Sequence, residues 1–163
     1  MGNFPARIAE DVRYLAKKTI GHVFWLKKTL TSSDITSAGT DITGTSTGGE
    51  LALEEVVVKA DSTGLAGAGD TSFRIVSTNA KGTTTVLSVA ISELTTGKTV
   101  DLSRAAALDS DTDDAWGINK QTILENGAKL TANMLTANGT GSGTIDVYVK
   151  FRRLDDKSDV LVA

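Results

Sequence analysis

The chain has 163 residues, a formal net charge of -3, 16 glycines, one proline, no cysteine and 5% aromatic residues. That length suits one domain with one hydrophobic core, and the lack of cysteine excludes disulfides, thiolate metal sites and a cysteine nucleophile. The acidic balance argues against broad contact with a nucleic-acid backbone, and no apolar run nears the roughly 20 residues of a membrane helix.

Pro5 to about Lys18 is predicted to be a helix. Proline suits a first helical turn, where its missing N–H has no partner to lose. Ile8, Val12 and Leu15 fall at i, i+4 and i+7 and form one apolar stripe. Glu10 and Asp11 lie toward its start and Arg13, Lys17 and Lys18 toward its end, as the helix dipole favours. A helix this short is marginal alone, so the stripe needs a surface, either on its own domain or on a neighbouring subunit. Nothing in Met1 to Asp11 reads as a signal peptide, and Ala6 occupies the position where a myristoylation signal carries Ser or Thr.

Val23 to Thr31, V-F-W-L-K-K-T-L-T, reads as a strand. Phe24 and Leu26 fall on one face, Val23 and Trp25 on the other, so both faces are apolar. Ser32 to Gly49 then has turn composition, with Ile35 and Ile42 as its only anchors. This is the best candidate boundary. It divides residues 1–49, a helix, strand and arm for attachment, from residues 50–163.

From Glu50 onward the pattern is strands and turns. Leu51 to Ala60 ends at Asp61-Ser62-Thr63-Gly64. Thr71 to Thr78 and Thr83 to Ile91 flank the turn Asn79-Ala80-Lys81-Gly82. A short strand covers Lys98 to Leu102, and 103–119 is irregular and acidic. Lys120 to Glu125 and Lys129 to Thr136 flank Asn126-Gly127, a strong hairpin signal. The last strand, Thr144 to Leu154, alternates most clearly: Ile145, Val147, Val149 and Phe151 on one face, charge and hydroxyl on the other. Together these predict a mainly β protein, an antiparallel sandwich of jelly-roll type with an N-terminal helix and extended arm.

Chemistry-bearing residues are sparse. His22 is the only histidine, which leaves a histidine-based triad or zinc site without partners; a place near a helix end is its simpler role. Asp109, Asp111, Asp113 and Asp114 could offer oxygens to Ca²⁺, but the EF-hand pattern fails at Asp114 and Lys120, where Gly and Glu are required. A solvated acidic loop is the plainer reading. Gly64, Gly67 and Gly69 lack the lysine-serine pair of a phosphate loop. Lys150, Arg152 and Arg153 form a small basic patch suited to rim ion pairs. No catalytic residue and no cofactor site is indicated, and the chain reads as non-enzymatic.

The segments G-G-E-L-A-L-E-E-V-V-V-K-A-D-S-T-G-L-A-G (48–67), S-T-N-A-K-G (77–82), T-V-D-L (99–102), I-L-E-N-G-A-K-L (123–130) and G-T-I-D-V-Y-V-K-F-R-R-L (143–154) resemble the β-sandwich decoration, or cement, proteins of tailed-bacteriophage heads. The resemblance covers about two thirds of the chain and excludes the N-terminal helix and the Trp25 strand. It implies a virion structural protein, made in the host cytoplasm, that binds the major capsid protein lattice from outside, commonly as a homotrimer. Ile8, Val12, Leu15, Phe24 and Trp25 are the expected partner interface, since a free monomer could not cover them all. The competing class is a carbohydrate- or receptor-binding jelly-roll module, a head fibre or tail tip. The low aromatic content counts against it, because sugar sites lean on exposed rings.

Overall fold

The computed structural model describes residues 20–35, 38–65, 72–90, 94, 97, 99–101, 122–134 and 143–163. Nine strands run through them: β1 (Val23–Thr31), β2 (Thr40–Asp41), β3 (Leu51–Ala60), β4 (Ser72–Asn79), β5 (Gly82–Ala90), β6 (Thr99–Asp101), β7 (Thr122–Leu124), β8 (Lys129–Met134) and β9 (Thr144–Arg153). The first sheet has the order β1-β9-β3-β6, with β7 also on β3; the second has the order β2-β8-β4-β5. All pairs are antiparallel. The antiparallel sandwich expected from the alternation is therefore present. The predicted helix at 5–18 lies outside the described residues.

β9 sits inside the first sheet and shows why the sandwich forms. Ile145, Val147, Val149 and Phe151 have no exposed surface, while the residues between them are only half-buried. Facing them from the second sheet are Phe73 and Ile75 of β4, Val86 of β5, and Leu130, Ala132 and Met134 of β8, all in one core cluster. Ile35 and Ile42, the two anchors of the turn-rich stretch, are buried in the same cluster.

β3 changes phase midway. Leu51 and Leu53 pair with Arg153 and Phe151, but the register skips Glu54 and resumes at Glu55↔Lys150. This bulge turns Val56, Val58 and Ala60 inward after Leu51 and Leu53. It also leaves Glu54 and Glu55 together on the outer side, as an extra residue in one strand requires.

The Asn79–Gly82 turn is a β4–β5 hairpin, with Asn79 paired to Gly82. Asn79 Oδ1 accepts from the Lys81 amide (2.8 Å), an Asx turn of the kind that makes asparagine a turn residue.

Asn126-Gly127 behaves differently. It is a turn, closed by the Ala128 amide donating to Glu125 O (3.0 Å), with Gly127 at φ +83°. The hairpin expected there does not form: β7 pairs with β3 in one sheet, and β8 with β2 and β4 in the other. The cause is a competing segment. The Gly127 amide donates to Ser46 O (3.0 Å) and the Ser46 amide to Ala128 O (2.7 Å), so residue 46 occupies the edge a hairpin partner would take.

The boundary drawn at residue 49 from composition does not interrupt the sheets. β1 pairs with β9 through nine consecutive positions, Val23↔Arg152 to Thr31↔Thr144. Bridges Thr43↔Val162 and Thr47↔Asp159 tie the arm to the end of the chain. Local turn composition marked 32–49 as a joint; long-range pairing joins β1, β2, Thr43 and Thr47 to the other strands and the chain end.

Candidate functional site

The described residue with the strongest claim to a partner is Trp25. Alternation along β1 turns Phe24, Leu26 and Leu30 inward and Val23, Trp25, Lys27 and Thr29 outward. Phe24 packs on Phe151 with ring centroids 5.7 Å apart, and His22 stacks on Phe24 at 6.4 Å. The Trp25 side points to solvent, with 47% of the residue exposed.

Cross-strand register builds a surface around Trp25. Trp25, Lys150 and Glu55 stand in one row, Lys27, Tyr148 and Val57 in the next, and Thr29, Asp146 and Lys59 in the third. Directly opposed side chains in such rows are close enough to pair. Lys150 Nζ lies 3.2 Å from Glu55 Oε2 and 5.5 Å from the Trp25 ring centre. Lys27 Nζ lies 2.8 Å from Asp146 Oδ2 and 5.4 Å from the Tyr148 ring centre. Arg152 Nε donates to Glu54 Oε1, the carboxylate set free by the bulge. The Asp146 hydrogen bond raises the Lys27 pKa. The bond from Lys27, then that from Thr29 Oγ1 (2.6 Å), lowers that of Asp146.

The basic patch read at Lys150, Arg152 and Arg153 is thus divided between faces. Arg153 points inward and is 5% exposed. Its Nη2 donates to Asp159 Oδ1 (2.9 Å), and its Nη1 to Ser158 O. Its guanidinium also lies 5.1 Å from the Phe24 ring centre. This arginine clamps the end of the chain to the sandwich; it does not join a basic surface.

A second polar knot lies at the far end of the sheet. Asp61 Oδ1 accepts from the amides of Thr63 (2.8 Å) and Gly64 (2.5 Å). Its Oδ2 accepts from the Thr144 amide (2.9 Å) and hydroxyl (3.1 Å). The Gly64 and then the Thr63 amide lead in holding its carboxyl below the usual range. Asp34 is lowered in the same way, by the Thr31 hydroxyl and then the Thr31 amide. Gly64 is required here: its φ is +57°, and a Cβ would overlap Leu94 O. These carboxylates staple turns to strands.

Of the candidate residues, Asp109, Asp111, Asp113 and Asp114 lie outside the described residues, as do Ile8, Val12 and Leu15. Among the described residues no group of three or more His, Asp or Glu is placed to hold a metal ion. The sequence reading missed Glu54, Glu55, Lys27 and Asp146. A usable signal for the glutamates was the shift of apolar parity from Leu51 and Leu53 to Val56 and Val58 across Glu54-Glu55.

Among the described residues, the fold and this face define a two-sheet antiparallel sandwich with an ion-paired outer surface that bears the exposed Trp25. A chain solved in the capsid of Ralstonia phage GP4 has a similar fold, with a TM-score of 0.51 over 83% of this chain and 86% of that one, at 17% identity. A chain from the crystal structure of the infectious bursal disease virus VP2 subviral particle aligns over 85% of this chain and 39% of its own. Its TM-score of 0.21 and identity of 12% carry no structural weight. No family model and no curated protein sequence matches the chain.

Proposed function

We propose that this chain is a non-enzymatic structural protein of a bacteriophage virion, and within that class a decoration, or cement, protein. It binds the major capsid protein lattice from outside as a homotrimer and opposes outward pressure on the shell. The observation that carries this reading is the fold match to a phage capsid chain. The two coverages, 83% and 86%, make that chain about as long as this one. The decoration resemblance of segments between 48 and 154 points the same way.

The attachment surface lies in residues 1–49, with the exposed Trp25 ring as its anchor on the sandwich and Ile8, Val12 and Leu15 as its apolar stripe. Phe24 serves from beneath, holding β1 against Phe151. Tryptophan and tyrosine ringed by polar groups are what protein interfaces use as anchors. Many identical copies on one shell convert modest individual contacts into a large collective effect.

The test is co-sedimentation of the purified protein with capsids of its source phage, together with native mass spectrometry of the free protein. A fixed ratio of copies to capsid subunits and a trimer mass are expected, and Trp25→Ala should weaken binding without unfolding the protein. A monomer that ignores capsids but is retained on a glycan array would overturn the reading in favour of receptor binding. Truncation should stop before β1: removing 1–31 deletes a paired strand and the buried Leu30, so loss of binding would then report unfolding.

A further inference from the structure

β1 ends its sheet, with β9 on one side and no described strand on the other. Bonds between antiparallel strands alternate along the pair, and the two ends of β1 fix the phase. The Arg153 amide donates to His22 O (3.0 Å) and the Ser32 amide to Gly143 O (3.1 Å). Even-numbered residues therefore turn their N–H and C=O groups to β9, and odd-numbered residues turn theirs outward. At Thr31 the outward groups are taken by Asp34: its Oδ2 accepts from the Thr31 amide (2.8 Å), and its amide donates to Thr31 O (3.0 Å). Among the described residues nothing bonds the outward groups of Val23, Trp25, Lys27 and Thr29.

An open strand edge is a template for a further strand. Lysine charge is a common guard of such edges, but here both lysines are engaged. Lys27 Nζ lies 2.8 Å from Asp146 Oδ2, and Lys28 Nζ donates to Ala163 O (2.5 Å). Phe24 and Leu26 point inward yet are only partly buried against the core, so apolar surface remains along the same edge.

We propose that β1 pairs with β1 of a second copy, antiparallel about a two-fold axis at Leu26. In this register all four open positions find partners, Val23 with Thr29 and Trp25 with Lys27, each twice. The neighbouring registers do worse. One sets Trp25 against itself and Thr29 against Gly21, whose amide is taken by Arg153 O. The other opposes two Lys27 side chains, a repulsive pair, and sets Val23 against Thr31, which Asp34 blocks. In the proposed register the Trp25 ring lies between Lys150 of its own chain and Lys27 of the copy. A cation over an aromatic face is attracted to it, and these two are already matched by Glu55 and Asp146. Leu26 meets Leu26 across the axis and covers the apolar surface left at the edge. Trp25 stays on the outer face of the joined sheet. Such a contact is isologous: a threefold ring cannot use it internally, so between homotrimers it would link one to the next. The pairing itself does not depend on the capsid reading.

The chain has no cysteine, so introduced thiols report the register without background. Leu26→Cys sets two thiols across the axis with Cα atoms about 4.5 Å apart, within disulfide reach. Val23→Cys and Thr29→Cys are both at exposed positions. Each lies about 20 Å from its own counterpart, six residues along the strand, but the two lie about 5.5 Å from each other across the pair. Under mild oxidation, Leu26→Cys should link to itself, and Val23→Cys should link to Thr29→Cys in an equimolar mixture. Both should react at least about tenfold faster than either exposed variant alone, because pairing raises the local thiol concentration. Circular dichroism checks each fold, and the mixture decides if Leu26→Cys does not fold. Equal rates in the mixture and in the single variants overturn the proposal, as does a mixture that does not link. None of these rates reads capsid binding, so their failure leaves the decoration reading untouched.

Discussion

The two faces of β9 do different work with the same backbone. Inward, Ile145, Val147, Val149 and Phe151 are wholly buried, and each such side chain contributes roughly 1.5–3 kcal/mol through burial. Outward, Asp146, Lys150 and Arg152 are matched to Lys27, Glu55 and Glu54, and partly exposed pairs of this kind are worth about 0–1 kcal/mol each. The inner contacts are non-directional and large; the outer ones are directional and small. Stability is therefore concentrated on one face, which leaves the other free to carry a binding surface at little cost to the fold. The exposed Trp25 stands on that second face, one strand away from β9.

Substitutions on either face test this difference. Val149→Asp places an unpaired charge in the core, and a loss of more than about 4 kcal/mol is expected. Thermal unfolding followed by circular dichroism should lose its cooperative transition; a folded variant with normal melting would remove the basis of the comparison.

An intermediate effect is expected from the carboxylates that staple the sheet ends. Asp61, Asp34 and Asp146 all have pKa values lowered by hydrogen bonds made in the folded state. A folded value below the unfolded one means that the contribution is fully present above about pH 4. It fades as the pH falls through the lower folded value. Urea midpoints measured from pH 7 downward should drop below about pH 4, and Asp61→Ala should both lower the midpoint at pH 7 and flatten that acid limb. An unchanged limb would show that the Asp61 knot does not hold the sheet end.

The smallest effect belongs to the outer face. Lys150→Ala removes one partly exposed ion pair and one ring contact, and should cost less than about 1 kcal/mol in urea denaturation. A loss several times larger would mean that the outer face also carries the fold.

Much of this was legible in residue order. The alternation in 144–154 announced both faces of β9, the Asn79–Gly82 turn announced its hairpin, and Ile35 and Ile42 announced themselves as anchors in a polar stretch. Trp25 could be singled out from sequence, but its direction could not, because Val23 and Trp25 on one side and Phe24 and Leu26 on the other are equally apolar. Only the position of β1 beside β9, with Phe24 against Phe151, decides which side is covered.

Residue order alone announced every strand except β2, most of the turns and, apart from the bulge in β3, the alternation of side chains along them, because these depend on local backbone preference and a period of two. The tertiary structure decided which strands meet. It placed residue 46 on the edge beside Gly127 and Ala128, and so sent β7 and β8 into different sheets. It absorbed Glu54 as a bulge and turned Arg153 inward to clamp the end of the chain. It also left Trp25 facing outward. Each of these outcomes depends on contacts between residues far apart in the chain, and a local pattern carries no record of which distant segment will arrive.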